Sequence, residues 1–433
     1  MSNYLINGGK KLKGTVATNS AKNSAVAILA AMPMIPGRTT LVDVPIIEEV
    51  KRMLEILASI GLKIKWIGKH ELEIVNDGKI SLKDLNHESF ARTRAALLFM
   101  GSLSPLFNRF NLPKGSGCKL GKRTVTPYKL AMEQMGFSIK DNGRQYEIVK
   151  IKPRDSSVTM HEAGDTATEN TIFAAILGNK KTEIYFASSN YMVQDLCRFL
   201  SAAGAKISGL GTHKLVIAGV KKLSPVKNYP IMPDPVESMA FISIAITTKS
   251  RIKITRCPID FLRLELEKLR VMGQKLKISK IYKSENGYFD LVDIEVIPSR
   301  LKALPDKIHP LPYPGLNIDN LPLFVPILTQ AEGKTLVHDW IYENRAIYYT
   351  ELNKLGADVA LYDPHRVSVT GPTELKPAEI ISPPALRPSI NLLIAMLAAR
   401  GRSILRNSYS IDRGYEDIVG RLNKLGADIK RIE

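Results

Sequence analysis

Cys118 sits where a thiol could react. Its run, GSGCKLGKR over residues 115–123, sets one cysteine among glycines and beside Lys119, Lys122 and Arg123. Neighbouring cations favour the thiolate, and Gly115, Ser116 and Gly117 give the backbone freedom to move. The same run can be tried as a phosphate-gripping loop, which needs glycine, four residues, then Gly-Lys-Ser/Thr. Ser116 stands at the first glycine position and Arg123 follows Gly121-Lys122, so that motif fails at two positions. A reactive thiol beside an anion and a merely exposed thiol both remain. Lys22 is the second candidate. In TNSAKNSAVAIL (18–29), Thr18, Asn19 or Ser20 can cap a helix whose apolar residues fall at Ala21, Ala25, Ile28 and Leu29. A lysine in the first turn opposes the helix dipole unless an anion such as phosphate occupies the same place. A solvated lysine is the plain alternative.

The elements that must carry these residues recur six times. MLEILASIGLKIKW at 53, LAMEQMGFSIK at 130 and LCRFLSAAGAKISG at 196 share one form with LELEKLRVMGQKLKI at 264, ELNKLGADVAL at 351 and VGRLNKLGADIKR at 419. Each reads as an amphipathic helix, a glycine and a short alternating strand. Gly61, Gly136, Gly204, Gly273, Gly356 and Gly426 return about every 70 residues, at the point where a helix end favours a left-handed residue. Between them lie six almost wholly apolar stretches: NSAVAILAAM, TRAALLFMGSL, ENTIFAAILG, MAFISIAI, LPLFVPILTQ and INLLIAMLAA. A helix apolar on every side is buried. Six α/β units, grouped as two similar lobes of three, are the expected organisation.

Composition removes several function classes. The chain has 433 residues, 45% hydrophobic and 24% charged, the make-up of a globular protein of two or three domains. The opening MSNYLINGGKKLKG holds no apolar run of signal-peptide type, and no stretch approaches the ~18 apolar residues of a membrane span. Cys118, Cys197 and Cys257 are odd in number and far apart, which argues against disulfides and for a reducing compartment. A cytoplasmic protein with no membrane partner is expected. The net charge of +19 invites a nucleic-acid reading, but the lysines are scattered and no basic run is interleaved with aromatics. A lysine-rich surface that focuses anionic substrates fits better. Seven histidines form no HExxH and no CxxC occurs, so no metal site is readable.

Five stretches point to a family. VATNSAKNSAVAIL (16–29), GSGCKLGKR, ATEN (167–170), YENR (342–345) and IDRGYEDIVGRLNKLGADI (411–429) together resemble the UDP-N-acetylglucosamine enolpyruvyl transferases, or 1-carboxyvinyltransferases, along the full length. The shikimate-pathway branch of the superfamily lacks the loop cysteine. The resemblance implies a two-lobed inside-out α/β barrel of six βαβαββ repeats, three per lobe. Lobe one would take residues 1–21 and 231–433, and lobe two residues 22–230. It further implies transfer of the enolpyruvyl group of phosphoenolpyruvate to the 3-hydroxyl of UDP-N-acetylglucosamine, an early step of peptidoglycan synthesis, with no metal or organic cofactor. Cys118 would protonate the methylene carbon and would be alkylated by fosfomycin. Lys22, Arg123 and Arg387 would clamp the phosphate and carboxylate of phosphoenolpyruvate. Asn23, Arg94, Asp165, Thr166 and Ile341 would bind substrate. Asp319, reached by counting back from YENR without a gap, would be the base that takes the hydroxyl proton. Lobe closure with the glycine-rich loop as lid would exclude water. A monomer that binds no nucleic acid is expected.

The chain departs from the family pattern at three places. Asp319 stands in YPGLNIDNLP rather than Phe-Pro-Thr-Asp-Met-Gln, and a lone aspartate between prolines also reads as a turn residue. Thr126 and Tyr128 replace the aspartate and histidine that follow the loop arginine in relatives. Gly164, Asp165 and Thr166 replace Ser-Val-Gly and set a carboxylate where a diphosphate would lie. Two alternatives therefore stay open: the same transfer onto another nucleotide such as uridine monophosphate, and a non-catalytic basic paralogue that binds nucleic acid.

Overall fold

The computed structural model describes residues 3–115, 124–151 and 156–432. The described chain divides into two compact units, one of residues 3–19 and 233–432, the other of 20–115, 124–151 and 156–232.

The apolar runs are helices because they have no polar face to offer a sheet edge or solvent. In the second unit they are Lys22–Ala31, a 3₁₀ turn Arg94–Leu98 running into Phe99–Leu103, and Asp165–Ile176. In the first unit they are Pro235–Thr247, Leu321–Leu328 and Leu386–Ala398. Every residue of Pro235–Thr247 and of Leu321–Leu328 is buried. Within each unit these helices pack on one another and make the core.

The amphipathic helices are Glu48–Ser59, Thr126–Gln134, Tyr191–Ala202, Arg263–Val271 and Ile418–Lys424. The run expected as a sixth α-helix is instead 3₁₀, Ala346–Leu355. All six recurring glycines that follow have φ between +82° and +107°. After five of them the next N–H returns to a carbonyl five residues back, as in Leu62 to Leu57 and Ala427 to Leu422. That is the closure a left-handed helix end provides, and glycine adopts it without a Cβ clash.

Sheet topology repeats with the helices. In one sheet Lys181–Tyr185 lies parallel to Ser156–Thr159 and antiparallel to Lys214–Ala218, which pairs antiparallel with Lys206–Ser208. A parallel step needs a crossover, and the buried helix Asp165–Ile176 supplies it. The order is strand, buried helix, strand, amphipathic helix and two strands, the βαβαββ unit. Four further sheets have the same strand pattern, two of them with a parallel strand borrowed from a distant part of the chain, Tyr229–Pro230 beside Gly37–Val42 and Lys13–Ala17 beside Arg251–Pro258, and a sixth keeps only its three antiparallel strands. The N-terminal strand Asn3–Gly8 completes the last repeat by pairing with both Gly401–Arg406 and Ile429–Ile432. Each unit thus holds three sheets, and none closes into a barrel among the described residues. No described helix is long and apolar enough to cross a membrane.

Candidate active site

The described polar residues nominated from the sequence fall at one kind of place, the start of a buried helix or the turn just before it. In the second unit Lys22 opens Lys22–Ala31. Ala21, extended at φ −69° and ψ 118°, is the cap residue, and no side chain caps the helix. The expected cap by Thr18, Asn19 or Ser20 is not formed. The Thr18 hydroxyl instead shares a hydrogen bond of 2.9 Å with Ser238 in the first unit's core. Uncapped first-turn N–H groups beside a lysine suit an anion. Lys22 Nζ is held by Glu49, which also accepts from Thr93 Oγ1 at 3.3 Å. Glu49 was not singled out in the sequence. Its only signal was a carboxylate in the first turn of the next helix, which the dipole explains by itself.

The same network joins the other helix starts of this unit. Asn23 Nδ2 donates to the Tyr191 hydroxyl at 3.1 Å, and the neighbouring Asn190 donates to Asp165 Oδ2 at 3.1 Å. Ser188 Oγ donates to the other oxygen of Asp165 at 2.5 Å. The carboxylate that replaces a neutral residue of relatives is therefore tied down by this chain's own donors. Arg94 Nη2 donates to the Tyr128 hydroxyl at 3.0 Å and to the Thr124 carbonyl at 3.4 Å. Tyr128, a departure from the family pattern, is thus a buried partner for Arg94. Thr166 offers its carbonyl to Asn170 Nδ2 at 2.9 Å.

In the first unit Asp319 and Arg387 are brought together, although 68 residues separate them. Asp319 lies on a turn in which its own N–H donates to Asn317 Oδ1 at 2.8 Å, just before Leu321–Leu328. The turn reading and the functional reading of Asp319 are compatible. Glu265 clamps the turn from below, accepting from the Asn317 N–H at 3.3 Å and from Asn320 Nδ2 at 2.7 Å. Arg387, in the first turn of Leu386–Ala398, donates from Nη2 to Asp319 Oδ2 at 3.2 Å and from Nη1 to the Tyr415 hydroxyl at 3.1 Å. Burial works against the charge on Arg387, but the Asp319 carboxylate beside it prevails and raises its pKa above the ordinary value. Burial pushes Tyr415 up to about 12. Asp234, which caps Pro235–Thr247 through the Val236 N–H, is raised by burial and lowered in part by Arg387. It stands at the start of a buried helix, within two residues of the place that Lys22, Arg94, Asp165 and Asp319 take on theirs, and that shared location was the signal that could have found it. Ile341 is 36% exposed in the segment between Asp339 and Arg345.

Cys118 and Arg123 lie outside the described residues. Cys197 and Cys257 are free, and burial pushes both thiols up to about 12, which leaves them unreactive at neutral pH.

One buried acid on the same helix start makes a testable case. Glu169 of ATEN is 4% exposed, and its Oε1 has no hydrogen-bond partner. Burial first, then the Asp165 carboxylate one turn earlier, pushes its carboxyl well above the usual range. The folded chain keeps a proton that the unfolded chain releases above about pH 4.3. Stability from this group is full below that pH and falls as pH rises toward the folded value. Glu169→Gln keeps the shape and removes the titration. Its urea midpoint is expected to match wild type near pH 4 and to exceed it at pH 8, and equal midpoints at both would show Glu169 is not buried neutral.

Comparison with known proteins gives the family. The sequence pattern of the EPSP synthase (3-phosphoshikimate 1-carboxyvinyltransferase) family matches residues 6–422. The UDP-N-acetylglucosamine 1-carboxyvinyltransferase of Treponema denticola is 33% identical over 435 residues, covering 100% of both chains. That of Bradyrhizobium diazoefficiens is 33% identical over 99% of this chain and 98% of its own. Among solved structures, the enolpyruvyl transferase NikO from Streptomyces tendae has a TM-score of 0.86 at 22% identity, covering 100% of this chain and 99% of its own. EPSP synthase from Acinetobacter baumannii has a TM-score of 0.79 at 18% identity over 100% of both chains, and these two structures bear on the fold alone. With a family match across nearly every residue and relatives one-third identical end to end, the chain belongs to the EPSP synthase family of enolpyruvyl (carboxyvinyl) transferases.

Proposed function

We propose that this protein transfers the enolpyruvyl group of phosphoenolpyruvate to the 3-hydroxyl of UDP-N-acetylglucosamine and releases phosphate, the step that commits the sugar nucleotide to peptidoglycan. The observation that carries the chemistry is the Asp319–Arg387 pair, a carboxylate held against a buried guanidinium at a helix start. The acceptor rests on the full-length relatives named for that substrate. Asp319 takes the hydroxyl proton while the oxygen bonds to the central carbon of phosphoenolpyruvate. Cys118 gives its proton to the methylene carbon, which becomes a methyl group in a tetrahedral adduct. Loss of phosphate from the central carbon, with return of a methyl proton, restores the double bond.

Lys22, Arg123 and Arg387 are the cations for the phosphate and carboxylate, and stabilising that charge is the largest contribution expected of them. Asn23, Arg94, Asp165, Thr166 and Ile341 are proposed for the acceptor. These steps call for no metal or organic cofactor. A cytoplasmic monomer, open to alkylation by fosfomycin at Cys118 and without affinity for nucleic acid, completes the reading.

The test is phosphate release from phosphoenolpyruvate with UDP-N-acetylglucosamine, run beside uridine monophosphate and a Cys118→Ala variant. Turnover with the sugar nucleotide is expected, falling by about 10²–10⁴-fold in the variant as a general acid is lost. Turnover with uridine monophosphate alone would keep the chemistry and change the acceptor. Silence with both would refute the proposal.

A further inference from the structure

Arg345, the last residue of YENR, has no solvent exposure. Its Nε and Nη2 grip Asp339 at 2.6 and 2.8 Å, and Nη2 also donates to the Ile318 carbonyl at 2.8 Å. Asp339 is equally buried and accepts from the Tyr349 hydroxyl at 2.5 Å. The guanidinium is therefore locked on one side. Its remaining nitrogen, Nη1, is buried with no hydrogen-bond partner and stands 3.9 Å from Asp319 Oδ1. Arg387 holds the other oxygen, Oδ2.

We infer that Arg345 is a positioning residue for Asp319: it fixes the turn through the Ile318 carbonyl and keeps Nη1 as the carboxylate's standing partner when Arg387 turns to a substrate oxyanion. The inference rests on the proposed roles of Asp319 and Arg387. Arg387 Nη2 carries two hydrogens, one of them given to Asp319, and swinging the guanidinium to face a substrate oxyanion with both withdraws that donor from the carboxylate. Arg345 cannot follow, because Asp339 and the backbone hold its other donors. Closing 3.9 Å to hydrogen-bond length needs a shift of about 1 Å in Asp319, and a buried donor without an acceptor favours that shift. Among the described residues, the charged and titratable groups around Asp319 include Arg345, Arg387, Asp234 and Tyr415, with Glu265 under the turn.

Arg345→Lys keeps a cation for Asp339 and loses the fork. With melting temperature recorded alongside, kcat is expected to fall about 10- to 100-fold, as for a base displaced by an ångström. KM for either substrate should change by less than roughly threefold. Arg345→Met/Asp339→Asn removes the buried pair without stranding a charge. It should lose kcat similarly and move the acid limb of kcat/KM to higher pH, because Asp319 has lost a neighbouring cation. Tyr349→Phe trims the same network away from Asp319, so it should lower the melting temperature while leaving kcat and the pH profile in place. Wild-type turnover is measured first. Its absence sinks the reading of Asp319 as the base, whereas turnover with unchanged kcat in a folded Arg345→Lys sinks this inference alone. Loss of kcat in Tyr349→Phe in step with its stability would likewise reduce Arg345 to a structural role.

Discussion

Asp319→Asn is expected to lower kcat by about 10²–10⁴-fold, the usual worth of a general base, while KM for phosphoenolpyruvate stays within a few-fold. The substitution is close to a pure test of proton transfer. Asparagine keeps an oxygen that can accept from Arg387 Nη2, and the backbone N–H of residue 319, which closes the turn on Asn317 Oδ1, is unchanged by the substitution. Glu265 continues to hold Asn317 and Asn320, so the loop keeps its shape. What the amide cannot do is take the proton of an attacking hydroxyl. Steady-state kinetics beside thermal unfolding separate the outcomes. A raised KM with intact kcat would make Asp319 an anchor for Arg387, and the base would have to be sought elsewhere.

The parts of the fold that were legible were those written in local patterns. Six runs without a polar face could only be buried helices, and six glycines at amphipathic helix ends could be placed in the left-handed region from spacing alone. The 3₁₀ form of Ala346–Leu355 was not visible, because residues 351–355 carry an ordinary helical pattern. At the site, residue type and a place in a helix's first turn found Lys22, while Arg94 and Arg387 were placed by likeness to relatives. What escaped was pairing at a distance. Glu49 meets Lys22 across 27 residues, Tyr128 meets Arg94 across 34, and Arg345 reaches the Ile318 carbonyl across 27. No period or motif records such a pair, since each partner satisfies local rules by itself. The failed cap at Lys22 is the converse case. Thr18, Asn19 and Ser20 all had the right chemistry for a cap, but Thr18 is spent on Ser238 in the packed core.

Gly101→Ala should be strongly damaging for a change of one methyl group. Gly101 lies in the buried helix Phe99–Leu103, against Asp165–Ile176. A Cβ built on it would stand 2.3 Å from the Asn170 carbonyl oxygen and 2.6 Å from the Asn170 Cα. Both are backbone atoms of a helix packed on every side, so no flexible side chain can yield. Relief requires the two helices to part, which opens voids along their contact. It also stretches the 2.7 Å bond from the Gly101 N–H to Asn170 Oδ1. Overpacking of this kind costs about 3 kcal/mol or more when backbone must move. Gly204→Ala is the control. It has φ +97° and nothing within 4 Å of its added Cβ, so only left-handed strain applies, roughly 1–2 kcal/mol. Asp165 and Thr166 open the displaced helix, so Gly101→Ala should also raise KM for the acceptor, which Gly204→Ala should not. Urea midpoints and acceptor KM for the two variants decide it. Equal stability losses would show that Gly101 is there for its backbone freedom rather than for the close approach to Asn170.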